Sequence, residues 1–306
     1  MRTIRHLFSL PLLLLLFTAC DQFDFDEQDE AKEYNVVLRV TSFKQMPFDN
    51  MGSTIGAQQQ PAATRAPEDI AKLCSRLHFV IFKNGERVKM ITQQSGDKDF
   101  GTVSLTLPEG DYDMAVVAHN CNGNATITDL QKITFPNNIV SDTFYTYGQL
   151  TIDGSDGQTF DLTLERAVAM FRLRITDAIP SDVAKMKFYY TGGSSTFSAQ
   201  SGFGSVNSKQ TVNLLTSDAM IVDGATQFEV YTFPHAETDE LKITITAQDA
   251  SGNTVQEQIF EKVPVKLNTI TVYEGSFFGE AKGSSETNVF QIKADGEWDG
   301  TNTYQF

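Results

Sequence analysis

Reactive side chains are scarce in this chain: three cysteines and four histidines among 306 residues. Cys20 has the most distinctive surroundings. It follows two arginines, Arg2 and Arg5, an apolar run from Pro11 to Phe17, and the small residues Thr18 and Ala19. A thiol directly behind a cleavable export segment is a nucleophile that can take up lipid. The apolar run is too short to be a membrane span, which needs about 20 apolar residues. Residues 1–19 are therefore read as a signal peptide, and acyl chains on Cys20 as a tether that holds the rest of the chain on the non-cytoplasmic side of a membrane.

The other two thiols invite a different reaction. An export compartment permits a disulfide. Cys74 immediately precedes a strand-like run from Ser75 to Phe82, and Cys121 closely follows another from Tyr112 to His119. If those runs pair antiparallel, the two sulfurs come within bridging range; the alternative is two free thiols. No zinc-type spacing joins either cysteine to a histidine. His6 leaves with the signal peptide, and His78, His119 and His235 are dispersed along the chain. The chain has no Gly-x-Ser-x-Gly elbow, no His-Glu-x-x-His helix and no phosphate-cradling glycine loop. Carboxylates are plentiful, yet nothing singles out a glycosidase pair. The expectation is a protein that is not an enzyme and uses no cofactor or metal, with its histidines in structural roles.

Charge narrows the partners. Loss of Arg2 and Arg5 with the signal takes the net charge from -15 to -17. Such a chain repels nucleic acid and anionic headgroups, so neither is an expected partner. Asp21, Asp24, Asp26, Glu27, Asp29 and Glu30 make residues 20–33 too acidic for a core, and they read as a tether.

Positioning falls to strands. Tyr34, Val36, Leu38 and Val40 fall on one face of a strand and Asn35, Val37 and Arg39 on the other, and Asn84-Gly85 is a hairpin signal between the runs Leu77 to Phe82 and Arg87 to Thr92. Pro108-Glu109-Gly110-Asp111 turns one strand pattern into the next. A short helix is predicted from Pro67 to Leu73, with Glu68 and Asp69 at its positive end and Ile70 and Leu73 on one face. A second series begins near residue 160, and Asp153-Gly154-Ser155-Asp156-Gly157 reads as the division between the two. That stretch lacks the ligand spacing of a calcium loop. The fold class is all-β: an antiparallel β-sandwich over 34–153, a second over 158–279, and a C-terminal strand segment over 283–306.

Three segments depart from this pattern. Residues 51–66 read as an exposed loop containing a single arginine, Arg65. Residues 192–209 are rich in Gly and Ser around Phe197 and Phe203, which suits either a mobile loop or a hairpin with an exposed tip. In the last segment Phe290, Ile292 and Ala294 alternate with Gln291 and Lys293, ahead of the single tryptophan, Trp298. A strand there needs a sheet edge to join.

Several of these stretches carry a family resemblance. Phe17-Thr18-Ala19-Cys20 resembles a bacterial lipobox, with Phe17 where leucine is commonest. The acidic residues after it resemble the surface-export signal of Bacteroidota lipoproteins, or else form a plain spacer. Together with Leu107-Pro108-Glu109-Gly110-Asp111-Tyr112, Glu165-Arg166-Ala167-Val168-Ala169 and Tyr273-Glu274-Gly275-Ser276-Phe277-Phe278, the chain resembles the fimbrillins and FimB-type anchor subunits of Bacteroidota type V pili. The resemblance implies two transthyretin-like sandwiches joined into fibres by strand exchange, in which a neighbour's C-terminal strand fills a groove left by an N-terminal strand. It further implies Tyr34 to Val40 as the N-terminal strand, Arg65 as a candidate cleavage point, and Phe290 and Ile292 as inward residues of a donor strand. The implied partners are other fimbrial subunits, the outer membrane through the lipid, and an unidentified host or bacterial surface ligand. Thr64-Arg65-Ala66 resembles stalk subunits, whereas the short tether and the Trp298 tail resemble anchors. The competing reading is a surface carbohydrate-binding lipoprotein. Its sugar platform would have to come from aromatic residues such as Phe144, Tyr145 and Tyr147, which fit core packing better.

Overall fold

Turn chemistry and alternation set the course of the chain. The computed structural model describes residues 32–44, 67–279 and 301–305, so Cys20, Arg65, Phe290 and Ile292 lie outside the described residues. After β1 (Glu33–Phe43) comes the helix α1 (Pro67–Leu73), with Ile70 and Leu73 buried on its inner face. β2 (Arg76–Lys83) and β3 (Glu86–Gln94) then form a hairpin around Asn84 and Gly85, whose φ values of 53° and 83° match what an Asn-Gly turn supplies. β4 (Thr102–Pro108), β5 (Gly110–His119), the short β6 (Ile133–Thr134), β7 (Thr143–Ile152) and β8 (Gln158–Arg166) follow.

β3, β2, β5, β7, β8, β1 and β4 lie in that order in one seven-stranded sheet. β7 and β8 are joined only at Phe144–Arg166 and Tyr145–Glu165. That narrow seam lets the sheet fold over, and a single core takes Leu38, Phe79, Leu105, Val116, Phe144 and Leu164 from six different strands. The turn at 153–157 does not divide the two sandwiches, as the sequence suggested. It carries β7 into β8, and β8 stays in the first sheet because β1 pairs with it from Val36–Gln158 to Phe43–Leu164. The chain leaves the first sandwich at Arg166–Ala169 instead.

Beyond that point lie β9 (Ala169–Ile175), β10 (Lys185–Thr191), β11 (Thr196–Ser198), β12 (Phe203–Gly204), β13 (Gln210–Leu215), β14 (Met220–Val222), β15 (Ala225–Thr232), β16 (Thr238–Gln248), β17 (Thr254–Lys266), β18 (Ile270–Gly275) and β19 (Thr301–Gln305). A four-stranded sheet, β13-β10-β16-β17, and a five-stranded sheet, β14-β15-β9-β18-β19, enclose a second core rich in rings: Phe171, Phe188, Phe260 and Tyr273. The fold is thus nearly all β, as expected. Three pairings are parallel rather than antiparallel, β1 with β8, β9 with β18 and β18 with β19; for the first two, the intervening strands provide the long crossover that a parallel pair needs.

A third apolar cluster fills the seam between the sandwiches. The outward faces of β2 and β5 give it Val80, Phe82, Ala115 and Val117, and the other side gives it Met170, Phe233, Ile270 and Val272. Residues 192–209 form a hairpin that joins β6 in a small sheet, with Gln200 and Ser201 exposed at its tip. Its strands face inward, and Phe197 is fully buried against Tyr145 at 4.8 Å between ring centroids. Among the described residues no helix is long and apolar enough to cross a membrane.

Candidate functional site

β1 occupies a slot between β8, parallel to it, and β4, antiparallel to it. Period-2 alternation turns Val36, Leu38 and Val40 into the core, where they are 0%, 0% and 3% exposed. Burying each contributes about 1.5–3 kcal/mol. Polar contacts line the outer face. The Asn35 N–H and Nδ2 both donate to Asp156 Oδ1 at 2.8 Å, and Arg39 Nε donates to Asp161 Oδ1 at 2.8 Å. Lys44 Nζ meets Glu165 Oε2 at 2.7 Å. With Phe43 at its end also in the core, one strand fills four core positions and pairs the backbone of two neighbours.

The other end of the chain is held at a fixed point. Asp177 accepts hydrogen bonds from the Ser276 hydroxyl and from the backbone N–H groups of Phe277, Phe278 and Gly279, at 2.7–2.9 Å. Partial burial works against its charge, but the donors at Phe277, Ser276 and Phe278 outweigh that and hold the carboxyl below its usual range. This clamp sits just before residue 280. The chain returns as β19, in register with β18 from Ile270–Thr301 to Glu274–Gln305, with Tyr304 against Tyr273 at 4.9 Å. The described C-terminal strand thus lies beyond the 288–294 stretch that alternation pointed to, and it joins the edge of the chain's own second sheet.

A family model for fimbrillin-A associated anchor proteins Mfa1 and Mfa2 matches residues 66–286, more than half of the chain. The chain belongs to this family. Similar solved structures include a candidate adhesin from Bacteroides ovatus ATCC 8483, at 12% identity over 80% of this chain and 88% of that one with a TM-score of 0.47. They also include the fimbrial anchor protein Mfa2 from Porphyromonas gingivalis, at 11% identity over 74% and 82% with a TM-score of 0.39. The tip fimbrial protein Mfa3 from Porphyromonas gingivalis aligns at 12% identity over 76% and 81% with a TM-score of 0.33. No curated protein matches the chain.

In this member of the fimbrial anchor family the expected Cys74–Cys121 disulfide is not formed. β2 and β5 do pair antiparallel, but both thiols are free. Cys74 closes α1, its N–H donating to the Ile70 carbonyl at 3.1 Å, which turns its sulfur into the first core. Cys121 faces the seam, where its Sγ donates to the Ile139 carbonyl at 3.2 Å. Burial pushes both thiols up, with the Asp142 charge adding to the effect at Cys74.

His78 and His119, dispersed in sequence, meet in space. Their Nε2 atoms are 3.0 Å apart in the seam, and both rings are fully buried. The Cys121 N–H donates to His119 Nδ1, so His119 carries its proton on Nε2 and donates it to His78 Nε2; His78 Nδ1–H then donates to the Thr92 hydroxyl at 2.9 Å. Burial and the Arg76 charge lower His78 to about 4, while burial, His78 and Arg76 lower His119 to about 3. The pair is neutral, fully hydrogen-bonded and structural. His235 lies apart, against Asp239 at 2.9 Å. Among the described residues no group of His, Cys, Asp and Glu could hold a metal ion. The aromatic cluster splits across the sheet: Phe144 enters the first core, and Tyr145 and Tyr147 pack against the seam.

Proposed function

We propose that this protein is a lipid-anchored fimbrial subunit at the outer membrane, which joins its neighbours by strand exchange and serves adhesion rather than catalysis. The observation that carries the reading is the β1 slot, a core position filled by one N-terminal strand that is paired on both sides. A strand in such a slot is replaceable by any extended segment with apolar residues at alternate positions. The C-terminal segment offers that pattern to a neighbour, with Phe290 and Ile292 inward and Gln291 and Lys293 outward.

Anchoring and processing exclude one another in this chain. Cys20 lies on the N-terminal side of Arg65, and so does β1. Cleavage after Arg65 would sever the lipid and the first strand from the body of the protein together. A subunit that keeps both has its own slot filled and terminates the fibre at the membrane, which is the anchor position. Mass spectrometry of the native protein tests this. The expected species begins at an acylated Cys20 and runs through Arg65 uncut. A mature chain beginning at Ala66 would move the protein into the stalk, and an unacylated Cys20 would remove the anchor altogether.

A further inference from the structure

The first sandwich has a polar cavity at one pole. Arg76 opens β2, the turn Gln94-Ser95-Gly96-Asp97 follows β3, and Asn120-Cys121-Asn122 follows β5, so three strand ends converge there. Between them lies an open cleft of about 590 Å³, within the range of roughly 300–1,000 Å³ typical of small-molecule sites. No aromatic and no large aliphatic side chain lines the cavity. Asp97 is engaged, its Oδ2 accepting from the Gln94 N–H at 2.8 Å, and Asn120 Nδ2 donates to the Leu73 carbonyl. Arg76 differs. Its Nε is buried and has no hydrogen-bond partner. Leaving such a donor unmade costs about 1–3 kcal/mol, more for a charged group.

We propose that this cavity binds a carboxylated sugar, with the Arg76 guanidinium holding the carboxylate and the surrounding amides and hydroxyls of Gln94, Ser95 and Asn122 holding the ring hydroxyls. The guanidinium presents a planar fork that matches a carboxylate along two parallel bonds. A lining of amides and hydroxyls suits a polyol. A peptide terminus would bring an apolar side chain that finds no apolar wall here, and a neutral sugar would lack the aromatic face on which it stacks. The net charge of -15 makes random capture of anions unfavourable, so binding of an acid would be specific to this pole.

Calorimetry on the full chain, with glucuronate, galacturonate and N-acetylneuraminate as probes, tests the proposal. At least one acid should bind saturably, while glucose and acetate should bind at least tenfold more weakly. Arg76→Ala should weaken that binding more than tenfold, and Arg76→Lys should restore part of it. Should Arg76→Ala fail to fold, Asn122→Ala and Ser95→Ala, on the turns, should each lower the affinity severalfold. Three results would overturn the site: no binding of any acid at millimolar concentration, equal binding of glucose, or binding unchanged in the Arg76 or turn variants. Equal binding of a short peptide through its C-terminal carboxylate would overturn the assignment to sugars.

Discussion

Arg166 grips Asp142 along two parallel bonds, Nε to Oδ1 at 2.8 Å and Nη2 to Oδ2 at 3.2 Å, at the point where the chain passes from one sandwich to the other. The same guanidinium donates through Nη1 to Asn268 Oδ1 at 2.7 Å and lies over the Phe144 ring at 4.7 Å. Asn268, at φ 55°, belongs to the β17–β18 turn, and its N–H donates to the Val168 carbonyl. One side chain therefore ties the last strand of the first sandwich to a turn of the second. With Arg166 1% exposed, Arg166→Ala should destabilise the protein by about 3–5 kcal/mol, because it leaves the Asp142 carboxylate buried without a counter-charge. Arg166→Met combined with Asp142→Leu should cost less than either single change. Urea unfolding of the three variants checks the order.

The histidine pair predicts an acid limit with a definite sign. Unfolded imidazoles titrate at 6.5, whereas His78 and His119 titrate at about 4 and about 3 in the fold. Between those values the unfolded chain binds more protons, so stability falls as the pH falls below 6.5 and continues to fall toward 4. Each imidazole contributes about 1.4 kcal/mol per pH unit in that window. The urea midpoint should drop steadily from pH 7 to pH 4.5. In a His78→Gln, His119→Gln variant that part of the slope should vanish.

Removing β1 should expose what it covers. A chain beginning at Ala66 is expected to self-associate through the open slot, and a peptide spanning Glu33–Phe43 added in trans should return it to monomer. Leu38→Ala in the full chain should cost about 2–5 kcal/mol. Light scattering and thermal melting read the two effects. A stable monomer beginning at Ala66 would contradict the role given to the slot.

The proposed C-terminal donor segment can be tested by position. Phe290→Asp with Ile292→Asp should abolish joining to the neighbouring subunit, because charged groups cannot enter an apolar slot. Gln291→Asp with Lys293→Asp should be mild. Immunoblots of sheared fibres compare the two. Normal assembly of the first variant would rule out this segment as the donor.

Much of the fold could be read from local chemistry. Asn84-Gly85 and Pro67 to Leu73 adopt the conformations their residues favour, because turn geometry and helix ends are decided within a few residues. The seam was harder to see. Its signal lay in the unbroken apolar runs Phe79 to Phe82 and Ala115 to Ala118, which mark strands buried on both faces rather than one. His78 pairs with Val117 and lies diagonal to His119, so the histidine contact follows once the β2–β5 register is known, and that register is tertiary. The cysteines misled because Cys74 takes its direction from the end of α1 and not from the strand pleat. The expected bounds put Glu165-Arg166-Ala167 inside the second sandwich, which they start at residue 158; it is in fact the end of the first sandwich, and only the fold gives Arg166 its partners.

The place of β1 also sets an order of events in time. Its contacts with β8 and the turn before it, such as Asn35 with Asp156 and Arg39 with Asp161, join residues 121 and 122 positions apart. The first strand to emerge cannot dock until nearly all the strands of its own sandwich have followed it, and such distant closures are slow. Throughout that interval β4 and β8 have an unfilled gap between them. The folding protein is therefore most open to capture by another extended chain before its own first strand has found its place.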